Sequence, residues 1–106
     1  MSQERRRAPR QRANLKTYLE SGSERHDAVI LNLSPKGCFV LTPREYRVGA
    51  TLKIEVGKPG LLHMTLEGAV VHRMGGRGVG VRFKDVTATQ QALISKLVQS
   101  IARPLG

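Results

Sequence analysis

The stretch HDAVILNLSPKGCFVL, residues 26–41, contains two apolar runs separated by a short polar break. Residues 26–33 are rich in β-branched and aliphatic side chains, and residues 38–41 continue in the same way, so each run predicts a buried strand. The break between them, residues 34–37, reads Ser-Pro-Lys-Gly. Proline removes a backbone donor and glycine permits a positive φ, which favours a turn. The stretch therefore predicts two adjacent strands in a chain of mainly β class.

Further strand patterns lie on both sides of this pair. Residues 15–19 predict a strand before it, and residues 51–56 alternate apolar and polar side chains after it. Residues 63–73 are long enough for one extended strand with Gly68 as a candidate bulge, and residues 78–83 alternate as the last strand. This spacing predicts an antiparallel β-barrel of six or seven short strands.

A helical pattern replaces the strand pattern near the C-terminus. Apolar residues fall on one helical face at five positions: Leu93, Ile94, Leu97, Val98 and Ile101. Thr87 and Gln90 fit a capping box at the start of this segment. We therefore expect a C-terminal α-helix over residues 88–102, packed on the barrel within one domain, residues 14–106. Residues 1–13 then form a flexible basic N-terminal tail.

The charge of the chain is strongly positive and unevenly distributed. Among 106 residues, Lys and Arg outnumber Asp and Glu by 18 to 8, for a net charge of +10. Much of the excess lies near the N-terminus, at Arg5, Arg6, Arg7, Arg10, Arg12 and Lys16. A chain of this length forms one core and no cleft between domains. The charge favours an anionic partner such as nucleic acid, a nucleotide or an acidic surface.

Several functional classes fit the sequence poorly. Cys38 is the only cysteine, so no disulfide forms within the chain, and it is expected to be a small core residue. The three histidines, His26, His63 and His72, lack metal-ligand spacing, and no nucleophile elbow, phosphate loop or paired-carboxylate motif is present. We therefore predict no enzyme activity, no catalytic residue, no metal and no cofactor. No apolar stretch is long enough to span a membrane and no secretion signal is present, so a cytoplasmic protein is expected.

Two polar segments remain as candidates for a binding site. The arginine cluster of residues 5–10 is either a solvated tail or part of an anion site. The segment NLSPKG, residues 32–37, offers short side chains that hydrogen-bond, Asn32 and Ser34, and Gly37 lets a ligand approach the backbone. The alternative is an Asx or Ser turn that only shapes the bend between two strands.

Taken together, the two segments resemble the motifs of the PilZ domain, a bacterial receptor module for the second messenger cyclic di-GMP. The family's RxxxR motif corresponds to residues 6–10, with Arg5 as the preceding basic residue, and its [D/N]xSxxG motif corresponds to residues 32–37. Residues 78–83, GVGVRF, are similar to the family's last barrel strand, and a helix is expected after it. Many members carry Asp where this chain has Asn32.

The resemblance implies a PilZ-like split barrel that binds cyclic di-GMP. It assigns the ligand to Arg5, Arg6, Arg10, Asn32, Ser34 and Gly37. His72 is a weaker candidate, at a strand position where some relatives carry an aromatic residue; a surface strand histidine is the alternative. A basic residue at the Arg5 position goes with two stacked ligand molecules per site. The tail is expected to become ordered over the ligand and to alter the binding of an unknown protein effector in motility, pili or exopolysaccharide control.

Two other functions remain as alternatives. One is a PilZ-fold adaptor that binds only protein, as members without intact motifs do, and a homodimer is an alternative to a monomer in either case. The other is a small basic barrel that binds nucleic acid, which is not the expected partner because single-strand binding needs exposed aromatic platforms. The aromatic residues Phe, Tyr and Trp number only four, and Phe39 and Phe83 have the pattern of core residues.

Overall fold

A computed structural model describes residues 11–58 and 62–102. The elements are six strands and one helix: β1 (Gln11–Ser21), β2 (Glu24–Ser34), β3 (Gly37–Leu41), β4 (Thr51–Lys58), β5 (Leu62–Met74), β6 (Gly78–Lys84) and α1 (Ala88–Ala102). The strands close into a barrel in the order β1-β2-β3-β6-β5-β4, and neighbouring strands are antiparallel. The predicted mainly β barrel with a C-terminal helix is confirmed, with six strands.

The barrel interior is filled by side chains that alternate along every strand. Leu19, Ile30, Leu52 and Ile54 are fully buried there, and Val81 is 2% exposed. A small barrel of this kind has its lumen filled by side chains and leaves no sheet edge unpaired. Any ligand site must therefore lie on an outer face or at an end of the barrel.

The helix α1 packs against β1 and β2. Ile94 and Leu97 are fully buried in the same cluster as the barrel core. The expected capping box is present, since Thr87 N donates to Gln90 Oε1 and Gln90 N donates to Thr87 Oγ1, both at 3.0 Å. The helix therefore begins where its sequence specifies and covers part of the barrel.

Two details differ from the sequence-based expectation. Strand β1 begins at Gln11, so residues 11–13 belong to the barrel and not to the tail, because they pair with the end of β2. Gly68 is not a bulge: it pairs regularly with Leu52 and Phe83. A Cβ there would lie 2.5 Å from Val81 Cγ1, so close packing across the barrel explains the glycine. No helix within the described residues is long and apolar enough to cross a membrane.

Candidate ligand-binding face

A register shift in β2 turns Asn32 towards the outer surface. Ile30 pairs with Val40, but Asn32 pairs with Phe39, so Leu31 is an extra residue on the β2 side of the ladder. Ile30 and Leu33 are both fully buried although they are three positions apart. In a regular strand, Asn32 would point inward like Ile30. The extra residue instead leaves Asn32 half-exposed on the outside.

A similar register shift occurs in β5 at His72. Val70 pairs with Val81, and His72 pairs with Gly80, so Val71 is the extra residue. Val70 is buried at 1% exposure, whereas His72 is exposed. The shift thus places His72 on the outer surface beside β6. Bulges are common next to binding sites because they redirect a side chain in this way.

These shifts align one row of residues across five strands. Arg12 pairs with Asn32, Asn32 with Phe39, Phe39 with Gly80, and Gly80 with His72. The Phe39 and His72 rings are stacked, with centroids 6.1 Å apart and planes 20° from parallel. Phe39 is 9% exposed yet lies outside the core cluster. It is buried as expected from the sequence, but on the outer face under His72.

Glycines keep this face free of intervening side chains. A Cβ on Gly80 would lie 2.2 Å from His72 Cε1, so the imidazole occupies the space that a side chain at position 80 would fill. A Cβ on Gly78 would lie 2.9 Å from Phe39 Cε2 and Cζ. The two aromatic rings therefore rest directly over the backbone of β6. We call the surface of Asn32, Phe39, Gly78, Gly80, His72 and Arg82 the glycine face.

Ser34 and Gly37 serve the turn between β2 and β3. The buried Ser34 hydroxyl accepts hydrogen bonds from Lys36 N at 3.2 Å and Gly37 N at 3.3 Å. A Cβ on Gly37 would lie 2.2 Å from the Val81 carbonyl oxygen, so glycine permits β3 to approach β6. The Ser turn considered from the sequence is therefore present, and the neighbour that requires Gly37 is backbone rather than open space.

Three cations lie on or beside this face, and the motif pattern did not select them. Arg12, Lys36 and Arg82 have exposed side chains that make no hydrogen bond or ion pair with another residue of the described ranges. Lys36 lies beside β6, because its carbonyl accepts from Phe83 N at 2.9 Å. Lys36 and Arg82 line an open recess of about 310 Å³ that extends to Asp85 and Gln91. The available signal for Arg82 was the alternation of GVGVRF, which places it opposite the core valines.

The other predicted site residues lie at the start of the chain. Arg5, Arg6 and Arg10 are outside the described residues. Gln11, which follows Arg10, pairs with Leu33 between Asn32 and Ser34. The strand that continues from the first motif thus runs beside the second motif. Within residues 11–58 and 62–102, no three His, Cys, Asp or Glu side chains are grouped so that they could hold a metal ion.

Known structures share this fold. The PilZ domain of YcgR from Escherichia coli, determined with c-di-GMP, is 18% identical with a TM-score of 0.79, covering 94% of this chain and 93% of that one. The Bacillus subtilis inhibitor of motility MotI/DgrA is 17% identical with a TM-score of 0.79, covering 92% and 50%. The K. pneumonia MrkH–c-di-GMP complex is 19% identical with a TM-score of 0.77, covering 92% and 52%. This chain thus spans about half the length of MotI/DgrA and MrkH.

A family model, matched to the sequence, identifies the family. Among curated proteins, no sequence matches this chain significantly. The family model described as the PilZ domain matches residues 4–100, which include both polar motifs, all six strands and most of the helix. By this match, the chain belongs to the PilZ domain family.

Proposed function

We propose that this chain is a cyclic di-GMP receptor whose ligand lies on the glycine face. The observation that carries the proposal is the row from Arg12 through Asn32 and Phe39 to His72, which puts a cation, an amide and a stacked aromatic pair on one outer surface. Membership of the PilZ family and the c-di-GMP complexes of structural neighbours support it.

The chemistry of this face suits a guanine dinucleotide. Guanine offers the O6 and N7 acceptors on one edge and a flat surface for stacking. The Asn32 amide can donate to that edge, and the exposed His72 ring can stack on the base while Phe39 holds it from below. Arginine guanidinium groups bind phosphate bidentately and also stack on purines. We assign Arg6 and Arg10 to phosphate and guanine contacts and Arg5 to a base contact or stack.

The turn residues act through the backbone in this proposal. Ser34 holds the amides of Lys36 and Gly37, and Gly37 fixes the distance from β3 to β6. Both would keep Asn32, Phe39 and the Lys36 side chain in place for the ligand. Arg12, Lys36 and Arg82, whose side chains have no partner among the described residues, add positive charge around the phosphates.

Energetics explain why the tail and the barrel must act together. Ordering the six residues 5–10 costs roughly 6 to 12 kcal/mol of backbone entropy. One charge-assisted hydrogen bond returns about 1.5 to 3 kcal/mol, so several such contacts and stacking are needed to hold the tail. Because β1 continues directly from the RxxxR motif and pairs with β2, the tail is attached beside Asn32. We therefore propose that the tail becomes ordered over the ligand, with two ligand molecules per site.

We infer that this chain binds a ligand and does not catalyse a reaction. Its output, whether motility, pili or exopolysaccharide control, would pass through a protein effector. Single-strand nucleic acid is disfavoured because three of the four aromatic residues, Phe39, Tyr46 and Phe83, are at most 9% exposed. A PilZ-fold adaptor that binds only protein is the remaining alternative.

Calorimetric titration with cyclic di-GMP tests the proposal, with GMP and cyclic di-AMP as ligand controls. Arg6→Ala and Arg10→Ala should each abolish measurable binding, and Asn32→Ala should weaken it by about tenfold, the effect of losing one or two hydrogen bonds. Lys53→Ala, an exposed cation on the opposite side of the barrel, is the matched control and should bind like the parent chain. Arg5→Ala should reduce the stoichiometry from two ligands to one.

Three outcomes would count against the proposal or a part of it. Equal affinity in the Arg6 and Arg10 variants would exclude the tail from binding. Absence of binding by the parent chain would favour the adaptor alternative. An unaltered dissociation constant for Asn32→Ala would remove that residue alone.

A further inference from the structure

Exposed apolar side chains are concentrated at one end of the barrel. Five large hydrophobic residues of the described chain are exposed, and four of them lie in two segments, residues 41–50 and 71–78: Leu41, Val48, Val71 and Met74. Val48 is 61% exposed and Met74 49%. Single exposed apolar residues need no explanation, but a cluster of them marks an interaction surface.

The two segments are joined in space. Thr42 N donates to Arg77 O at 3.0 Å, and Gly49 N donates to Val70 O at 2.8 Å. A cavity of about 50 Å³ lies between the β3–β4 loop, residues 42–50, and the β5–β6 turn. Its lining includes Arg44, Arg73 and Met74. The cluster is thus one continuous surface at the barrel end where β3 and β5 finish and β6 begins.

Four arginines share this surface, and we call it the arginine end. Arg44, Arg47, Arg73 and Arg77 are all exposed, whereas the two segments contain one carboxylate, Glu45. Outside the segments, Glu24 accepts a hydrogen bond from Arg44. The hydrogen bond of His26 to Glu24, followed by that of Arg44, lowers the pKa of this carboxyl. The side chains of Arg47, Arg73 and Arg77 make no hydrogen bond or ion pair with any residue of the described ranges.

A buried hydroxyl lies under the same surface. Tyr46 is 8% exposed and lines the cavity, and its hydroxyl makes no hydrogen bond with a described residue. Burial raises the pKa of this phenol, opposed by the charge of the neighbouring Arg44. Tyr46 therefore places a buried phenol next to Arg44 beneath the surface.

We propose that the arginine end is the docking surface for an acidic protein segment with apolar side chains. Charge complementarity selects carboxylates as the groups that meet Arg47, Arg73 and Arg77, because guanidinium binds carboxylate bidentately. Arginine and methionine are enriched in protein interfaces. The surface has no exposed Trp or Phe, the residues that anchor amphipathic segments in membranes. Its exposed aromatic ring is His72, which it shares with the glycine face, and no exposed Phe, Tyr or Trp of the described residues lies there as a further platform for nucleic-acid bases.

This surface adjoins the glycine face, because His72 and Gly78 lie in the segment 71–78, but its four arginines are not among the proposed ligand contacts. The motif residues lie at the opposite strand ends, where β2 finishes and β3 begins. The inference therefore stands even if cyclic di-GMP is not the ligand, and it supplies a place for the protein effector if it is.

A model peptide tests the surface on the full chain. The probe is an amphipathic peptide of about 16 residues with glutamates on one face and leucines on the other. Its Glu→Gln counterpart and vesicles of phosphatidylglycerol and phosphatidylcholine are the comparison probes. At low salt, we expect the acidic peptide to bind, to shift the NMR signals of Val48 and the Met74 methyl group, and to bind at least about tenfold more tightly than the Gln peptide.

Charge reversal locates the binding. The Arg73→Glu/Arg77→Glu variant should lose at least about tenfold in affinity for the acidic peptide. Lys53→Glu/Lys96→Glu is the matched control, with the same change of charge at exposed sites elsewhere, and should retain binding. Arg47→Glu is a second variant within the surface and should weaken binding as well. Titration of all variants with cyclic di-GMP in parallel reports separately on the proposed ligand site.

The result is decisive in either direction. Equal peptide affinity in the reversal and control variants, equal affinity for the Glu and Gln peptides, or no binding at all would overturn the proposal. Binding to vesicles but not to the peptide would also overturn it, in favour of a membrane surface.

Discussion

On one side of the barrel charged side chains pair with each other, while on the other side the cations have no partner among the described residues and two rings cover the backbone of β6. The first side spans β1, β4 and the starts of β2 and β5. There Arg25 of β2 lies 4.3 Å from the Tyr18 ring centroid and donates a hydrogen bond to Glu55 at 3.1 Å. His63 reaches the same carboxylate at 3.2 Å. The second side is the glycine face, where Arg82 has no partner among the described residues and glycines replace side chains.

The contrast distinguishes a surface whose charged side chains already pair with one another, which we call the paired face, from one that can accept a ligand. On the paired face, a new partner would have to compete with existing contacts. On the glycine face, it would meet a stacked ring pair and the Arg82 guanidinium, which has no partner among the described residues. The difference is not one of composition alone, because both faces contain arginine and histidine.

The largest expected effect is on the packing of β3 against β6, next to the glycine face. Gly37→Ala places a Cβ against the Val81 carbonyl oxygen, which is backbone and cannot rotate away. We expect a loss of about 1–3 kcal/mol in the free energy of unfolding, measured by urea denaturation. Gly75→Ala is the control, because nothing lies within 4 Å of its Cβ position. Equal stability of the two variants would show that the β3–β6 approach does not require glycine.

A smaller effect on stability is expected at Gly80. This substitution tests the stacked Phe39–His72 pair without unfolding the barrel. Gly80→Ala puts its Cβ where the His72 ring lies, and this exposed ring can swing away. We expect a change in unfolding free energy below about 1 kcal/mol but a several-fold loss of cyclic di-GMP affinity, the scale of one stacking contact.

The role of the ring pair can be checked by combining changes. His72→Ala should cause a similar loss of affinity, and Gly80→Ala/His72→Ala should lose no more than either single variant, since both remove the same contact. Additive losses in calorimetry would mean that Gly80 acts on the ligand by another route.

The smallest effect is expected on the paired face. Glu55→Gln removes the charge that holds Arg25 and His63, and exposed pairs of this kind contribute about 0.2–1 kcal/mol each. The loss should shrink further at high salt, since exposed charges are screened. Cyclic di-GMP affinity should stay the same. A large loss of ligand affinity would erase the functional distinction between the two faces.

The fold could be predicted from patterns among residues that are close in sequence. Alternation predicted the strands, and the Thr87–Gln90 pair predicted the start of the helix, which the structure confirms by two hydrogen bonds. The residues of the candidate site could be predicted from the sequence only in part. The motif named Asn32, Ser34 and Gly37 together, but Ser34 and Gly37 contact the turn and the backbone of β6. Glycine at a turn looks the same in sequence whether a ligand or a neighbouring strand approaches it.

The amino-acid sequence by itself determined the barrel, the helix and the concentration of positive charge, because periodicity, caps and charge are properties of neighbouring residues. Only the tertiary structure decided which way Asn32 and His72 point. Leu31 and Val71 carry no bulge signal, and each became an extra residue only through its count against the partner strand. Strand side chains alternate with period two. A single extra residue in one strand therefore makes the side chains that follow it point to the opposite side of the sheet.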